Sequence, residues 1–510
     1  MGLNLVKISD VEKFSGNNID VLCFGHFNVI HPGHLRYLQF AADGGGTLGV
    51  LLKSDEMIRL EDGGRHFFSI EERVDLLNSV PIEKEIFSTG SYSLVECIDK
   101  IKPQKLVLGH EVQKSNDESL REATEYCQAN AIELVFHSGH SSSTGWLETG
   151  ASISEKKART FRQFISSCKR RDVEIKNLGA ITDQFCKLSG LVLGDVIVDE
   201  FVFCEPLGVS SEAPVLVVRE QSHSKFVGGA GIVAKHVASL GASCKFISVV
   251  GEDDTGTFVM DDLNASGVRH CLITDTKRPT TLKRRYVADS QKVFRVSNLD
   301  DNDVDVSIEQ KIVNAVEKSI KNCDFIILSD FVYGVITPDV LKKVVELAKK
   351  NDVKLFGDLQ CSSQIGNVLK FCDFDMIFPT EKEARLALGN KDDSLEFLSR
   401  ELLRKSRCKN LVIKLGKQGL IAYKCEQSVT IESEHFPALS INAIDVAGAG
   451  DSLLAATSLS LCSGANVMEA SAIGTMVASC AVERMGNVSV TKEQLKEVMT
   501  QLNNFDIGNS

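Results

Sequence analysis

Two short stretches of this sequence combine residue types and spacings suited to phosphate chemistry. In GHFNVIHPGHLRYL, His31 and His34 stand on either side of Gly33, one helical turn apart. Both rings can therefore lie on one side of a helix start. A helix N-terminus offers unpaired N–H groups and partial positive charge. Two imidazoles there can donate to phosphate oxygens as charge builds in a transition state. A metal site would need third and fourth ligands, and no neighbouring cluster supplies them. In DVAGAGDSLL, Gly448, Ala449 and Gly450 form a small-residue turn whose backbone N–H groups make an anion hole. Asp451 follows within the first helical turn, placed to take a proton from a hydroxyl that attacks a phosphoryl group.

The surrounding pattern supplies elements to hold these residues. IDVLCFG, TLGVLLKSD, KLVLGHE and IELVFHSGH are strand runs separated by helical patterns. Ser69 with Glu72 three residues later marks a capped helix start. Alternation of this kind predicts an α/β fold with a doubly wound, Rossmann-like parallel sheet over residues 1–146. Residues 147–187, including EKKARTFRQFISSCKRRDVEIK, read as a charged linker helix and domain entry. Strand–helix rhythm resumes over 188–500, with alternating β-rich stretches near 200–225 and 280–297 that fit a small separate sheet. Residues 501–510 read as a C-terminal tail.

Composition narrows the classes of function. The 510 residues are 43% hydrophobic and 25% charged, ordinary for globular protein, and long enough for two or three domains. A net charge of −12 argues against a general nucleic-acid binder. Fifteen scattered cysteines, none in a Cys-x-x-Cys pair, read as reduced core thiols of a cytoplasmic protein. The N-terminus has no signal-peptide core, Val6 breaks the myristoylation pattern, and no apolar run suggests a membrane span. The expected partners are small molecules, with neither nucleic acid nor membrane.

The first stretch resembles the His-x-Gly-His nucleotidylyltransferases, the family of glycerol-phosphate cytidylyltransferases and heptose-phosphate adenylyltransferases. The resemblance runs over roughly the first 146 residues. It implies catalytic roles for His31 and His34, and nucleotide contacts from Gly25, Phe27, Asp55, Arg73, Gly109, Ser142, Ser143 and Thr144. Asn28 stands where an aspartate is usual, and the lysine expected after Asp55 is absent.

The second resembles the Asp-Thr-x-Gly-Ala-Gly-Asp signature of ribokinase-like sugar kinases, with Asp445 retained, and FVGGAG gives their glycine pair. No Walker A motif is present. LGDVIVDEF, SSEAPV, VVGEDDTG, LSDF and NVSV fall in the order found in the kinase half of the ADP-heptose synthase family. This likeness covers about residues 188–500. It implies that Asp195, Asp199, Gly228 and Gly229 meet the sugar, and that Lys414, Gly416, Gly419, Gly448, Ala449 and Gly450 lie along ATP. Glu383 would help to organise Mg2+. Ile232 replaces the asparagine that would touch the sugar, a change expected to alter substrate preference, and Thr380 replaces the asparagine of the Asn-x-x-Glu motif. Tyr333, Gln360 and Ala447 also depart from the pattern, and the domain order is inverted relative to the familiar fusion.

Together the resemblances imply a two-activity enzyme of nucleotide-sugar synthesis. One half would phosphorylate a sugar phosphate, best matched by D-glycero-D-manno-heptose 7-phosphate at O1. The other would transfer a nucleotidyl group from ATP, or from CTP, to the sugar 1-phosphate. Another sugar or polyol phosphate is the alternative. In a different class of reading, one half is inactive and serves binding or dimerisation. By analogy, the small β lid would form a homodimer.

Overall fold

The computed structural model describes residues 5–7, 19–27, 30, 32–43, 46–61, 68–109, 118–137, 153–209, 216–288, 291–360, 366–390, 393–426, 430–440 and 443–508. His31, Ser142, Ser143, Thr144 and the SSEAPV segment, 210–215, lie outside them. The chain divides into two compact units, Met1–Ala151 with Asn390–Glu401, and Ser152–Gly389 with Leu402–Ser510.

The first unit is built on β1 (Leu5–Lys7), β2 (Val21–Gly25), β3 (Leu48–Leu52), β4 (Glu85–Ser88), β5 (Lys105–Gly109) and β6 (Glu133–His137). All pair in parallel, in the order β1-β4-β3-β2-β5-β6. The chain runs outward from β2 through β3 to β4, then returns to β5 on the other side. The carboxyl ends of β2 and β5 therefore bracket a topological switch point, the usual ligand crevice of such sheets. Strands β2 and β3 are almost wholly buried, as a sheet covered on both faces requires. The Ser69–Glu72 capping box forms as the sequence indicates and opens the helix Ile70–Asn78.

In the second unit the strands are β7 (Ser189–Gly194), β8 (Val196–Val209), β9 (Leu216–Gly229), β10 (Ser243–Val250), β11 (Arg269–Thr274), β12 (Leu282–Ala288) and β13 (Gln291–Asn298). They continue with β14 (Phe325–Asp330), β15 (Lys354–Leu359), β16 (Met376–Ile377), β17 (Asn410–Lys414), β18 (Leu420–Glu426) and β19 (Thr430–Phe436). The main sheet runs β11-β10-β7-β14-β15-β16-β17-β18-β19. It is parallel from β11 to β17, and β18 and β19 complete it as antiparallel hairpin strands. Its switch point lies between β7 and β14. Strands β13-β12-β8-β9 form the separate small sheet.

Two boundaries differ from those read in the sequence. Residues Ile153–Arg170 are a helix of the second unit's body and not a linker: Phe161, Phe164, Ile165 and Cys168 join its main core. Their i, i+3, i+4, i+7 spacing makes one apolar stripe on an otherwise charged helix. Arg170 and Arg171 then reach the fully buried Glu434 on β19, and the Ser167 hydroxyl donates to His435 O at 2.7 Å. Likewise residues 501–508 are no separate tail, because they belong to the helix Lys492–Gly508, which buries Leu502 completely. Among the described residues, no helix is long and apolar enough to cross a membrane.

Candidate active sites

In the first unit the loop after β2 feeds directly into the helix Pro32–Asp43. Proline at the first helical position is preorganised for that start. No acidic side chain lies in the first turn, so its partial positive charge stands uncompensated. Tyr37 fixes this helix to the sheet: its hydroxyl donates to Val107 O at 2.6 Å and accepts the Phe24 N–H at 3.1 Å. His34 lies in the first turn, half-buried, with its ring 5.0 Å from Phe27 and edge-on to His26 at 5.9 Å. Phe27 is fully buried with φ 45°, a left-handed conformation that a bulky residue adopts only under constraint. That strained residue lies four positions before the first histidine of the His-x-Gly-His segment. Gly25 and Gly109 end β2 and β5 at the switch point.

Arg73 and Asp55 meet each other. The Arg73 side chain is completely buried, and Nη2 donates to Asp55 Oδ1 at 2.5 Å. Nη1 donates to His26 O at 2.6 Å and to Lys53 O at 3.0 Å. Asp55 Oδ2 accepts from Ile70 N at 3.4 Å. The direct nucleotide contact expected of Arg73 is therefore not what the geometry provides. Its terminal nitrogens already have protein acceptors, and they tie the loop before the histidines to the end of β3.

In the second unit, Gly448 caps the helix Ala449–Cys462 with φ 79°, where a side chain would be strained. Asp451, in the first turn, is 6% exposed. Burial, reinforced by the neighbouring Asp358 carboxylate, pushes its pKa up to about 7 despite opposing help from Lys414 and Gln360. Asp358, near the end of β15, is fully buried and accepts from Lys414 Nζ on both oxygens, at 2.7 and 2.8 Å. Burial opposes the Lys414 charge, but Asp358 and Glu383 together hold its pKa above the ordinary value. Gln360 bridges the carboxylates, donating from Nε2 to Asp451 Oδ1 at 2.8 Å and to Asp358 Oδ2 at 3.3 Å. A Cβ on Gly450 would stand 3.4 Å from Lys414 Nζ, so the turn and the ammonium are adjacent. Gly416 and Gly419 make the turn from β17 to β18 beside them.

On the sugar side, Asp199 pairs with Arg285 of the small sheet and accepts from Asn487 Nδ2 at 2.6 Å. Gly228 admits this approach, because a Cβ there would lie 2.5 Å from Asn487 Nδ2 and 2.6 Å from Asp199 Oδ2. The Asn487 side-chain oxygen also lies 3.2 Å from where a Gly448 Cβ would be. Asn487 therefore joins the expected sugar side to the anion-hole turn, a link the sequence reading missed. Nothing local in GNVSV announces it, since its partner is on β8.

Three expectations are corrected. Asp195 does not offer its carboxylate to a sugar. It is buried, and its oxygens accept the N–H groups of Phe331, Tyr333 and Val335 at 2.8, 3.3 and 3.2 Å. Its backbone carbonyl accepts from Ala230 at 2.9 Å, beside Gly229, which starts that helix. Ile232, expected to alter substrate preference, is completely buried. Thr380 is not a lost ligand but an N-cap, forming a capping box with Glu383: Thr380 N donates to Glu383 Oε2 at 2.8 Å, and Glu383 N to Thr380 Oγ1 at 3.2 Å.

Among the described residues, no group of three or more His, Cys, Asp or Glu side chains is arranged to hold a metal ion. A buried carboxylate, Glu383, beside the Asp358–Lys414 pair fits magnesium that arrives on nucleotide phosphates, since this ion keeps several waters and takes few protein ligands.

Comparison with known proteins agrees with these two architectures. Residues 22–171 match the cytidylyltransferase-like family model. The bifunctional protein HldE of a Nitratiruptor species is 31% identical over 310 residues, covering 60% of this chain and 64% of that protein. HldE of Rhodopseudomonas palustris is 29% identical over 328 residues, 62% of this chain and 64% of that one. The chain thus spans somewhat under two thirds of these relatives' length. Phosphofructokinase-2 from Escherichia coli, solved with substrates and products, superposes with a TM-score of 0.53 at 16% identity, over 62% of this chain and 100% of that one, which shows a shared fold. The pfkB family carbohydrate kinase model matches residues 191–494, more than half of the chain, and the chain belongs to that family.

Proposed function

We propose that this chain is a bifunctional enzyme that makes a nucleotide-activated sugar. Its second unit transfers the γ-phosphate of ATP to a sugar phosphate, and its first unit joins a sugar 1-phosphate to a nucleotide with release of pyrophosphate. The observation that carries the reading is the buried Asp451, with its pKa raised to about 7, at the head of a helix whose glycine turn faces Lys414. A carboxylate with that value is matched to proton abstraction near neutral pH. As the hydroxyl attacks, Asp451 takes its proton, while the helix start and Lys414 meet the charge developing on the transferred phosphoryl group. Magnesium carried by the nucleotide, with Glu383 nearby, adds neutralising charge to the phosphates. Asp199, held between Arg285 and Asn487, faces the sugar.

In the first unit His34, with its partner His31, stabilises the α-phosphate as it is attacked, and the Arg73–Asp55 pair holds the loop that aims them. With a heptose 7-phosphate the kinase product is a 1,7-bisphosphate, so hydrolysis of the O7 phosphate ester falls between the two reactions when heptose 1-phosphate is the acceptor. The likeness of residues 188–500 to the kinase half of the ADP-heptose synthase family favours heptose 7-phosphate and ATP. Leu216, Phe294 and Val296, exposed on the small sheet, are assigned to a homodimer interface. The test is to follow ADP and pyrophosphate separately over a panel of sugar phosphates with ATP or CTP. Heptose 7-phosphate with ATP should give ADP, heptose 1-phosphate with ATP should give pyrophosphate, and failure of every sugar to give either would refute the reading.

A further inference from the structure

We propose that Gln360 is a positioning residue for phosphoryl transfer, its side-chain amide holding the Asp451 carboxylate in the reactive orientation; the inference rests on Asp451 being the base. Gln360 follows β15 directly, and its own N–H donates to Asp330 O at 2.8 Å, which pins it to the end of β14. From that fixed point the amide nitrogen, with two hydrogens, reaches Asp451 Oδ1 at 2.8 Å and Asp358 Oδ2 at 3.3 Å. Lys414 holds both oxygens of Asp358 from the far side. The result is a line of four side chains, Lys414, Asp358, Gln360 and Asp451, each hydrogen-bonded to the next.

The ends of this line are treated differently. Asp358 is already paired with an ammonium through both of its oxygens. Asp451 faces a neutral amide, which orients a carboxylate without cancelling its charge. With Oδ1 engaged by Gln360, the substrate proton goes to Oδ2. The substrate oxygen bonds to the γ-phosphorus as the bond from that phosphorus to the β–γ bridging oxygen breaks, and ADP carries that oxygen away. The other charged groups acting on Asp451 are Asp358, Lys414 and Asp199. None of them supplies the hydrogen bond that Gln360 supplies.

The experiment compares Gln360→Ala and Gln360→Lys with the unaltered full chain, following ADP formation from ATP and D-glycero-D-manno-heptose 7-phosphate across about pH 5 to 9. Gln360→Ala should lower kcat about 10- to 100-fold, as for one hydrogen bond to a charged group, with KM changed much less. The acid limb of its kcat profile should move to higher pH, because the carboxylate has lost a donor. Gln360→Lys restores a donor and adds charge, so its acid limb should move below that of the parent. Unchanged kcat in Gln360→Ala, or equal losses in both variants with an unmoved acid limb, would overturn the proposal.

A second measurement needs no substrate. The gain in stability from Asp451→Asn should go on rising to a higher pH before it flattens in the Gln360→Ala background, and an unmoved upper end would also overturn it. Full kinase activity in Asp451→Asn alone would instead refute the base assignment, whatever Gln360 does.

Discussion

Replacing Asp451 by asparagine should stabilise the second unit at neutral pH, and the gain should grow with pH in a defined window. The carboxyl has a pKa of about 7 in the folded protein against an ordinary 3.8. Between those values the unfolded chain has released a proton that the folded protein keeps. Asp451 therefore costs stability progressively as pH rises from about 4 to about 7. The difference is roughly three pH units at about 1.36 kcal/mol each, or about 4 kcal/mol once pH exceeds 7. Asparagine does not titrate, and its Oδ1 can still accept from Gln360, so the packing survives. For a unit this large the gain amounts to roughly 5 °C in Tm. Scanning calorimetry of both proteins at fixed ionic strength reads it directly. The Tm difference should be near zero at pH of about 4, rise steadily, and flatten above pH of about 7. A constant difference, or a loss in the variant that grows with pH, would refute the burial argument and with it the tuned base.

Other consequences follow from particular contacts. Arg73→Ala leaves Asp55 and two carbonyls without their donor. It should destabilise the first unit by about 2 kcal/mol or more and slow pyrophosphate release, while sugar-dependent ADP formation stays intact; equal loss of both reactions would contradict it. Phe164→Ala, in the helix that the charge pattern disguises as a linker, should cost the second unit about 3–5 kcal/mol, read as a lowered kinase transition in calorimetry. Phe294→Asp on the small sheet should give a monomer by light scattering without loss of fold, and an unaltered mass would remove that face from the interface.

The parts of this architecture that were legible in the sequence are the local ones. The strand–helix rhythm, the Ser69–Glu72 cap and the glycine turn before Asp451 all depend on neighbours within a few residues, and each has the form the pattern implies. What the sequence concealed are pairings across the fold. Arg73 and Asp55 are types that bind nucleotides, and only three-dimensional placement shows that they bind one another. Asn487 acquires its meaning from Asp199, far away in the chain. The second unit's first helix was masked by its own lysines and arginines, although its apolar stripe is regular. Assignment of Asn390–Glu401 to the first unit has no local signal at all.

The most direct test of the two-reaction account is 31P NMR of a single tube containing ATP, magnesium, heptose 7-phosphate and heptose 1-phosphate, run on the parent, Asp451→Asn and His34→Ala proteins. The parent should yield ADP, pyrophosphate and a nucleotide-sugar. His34→Ala should still make ADP and heptose 1,7-bisphosphate, its nucleotidylyl transfer slowed about 10²–10³-fold. Asp451→Asn should make no ADP from this mixture, yet release pyrophosphate at the parent rate. Loss of both reactions in either folded variant, or pyrophosphate release that survives His34→Ala unchanged, would contradict the account.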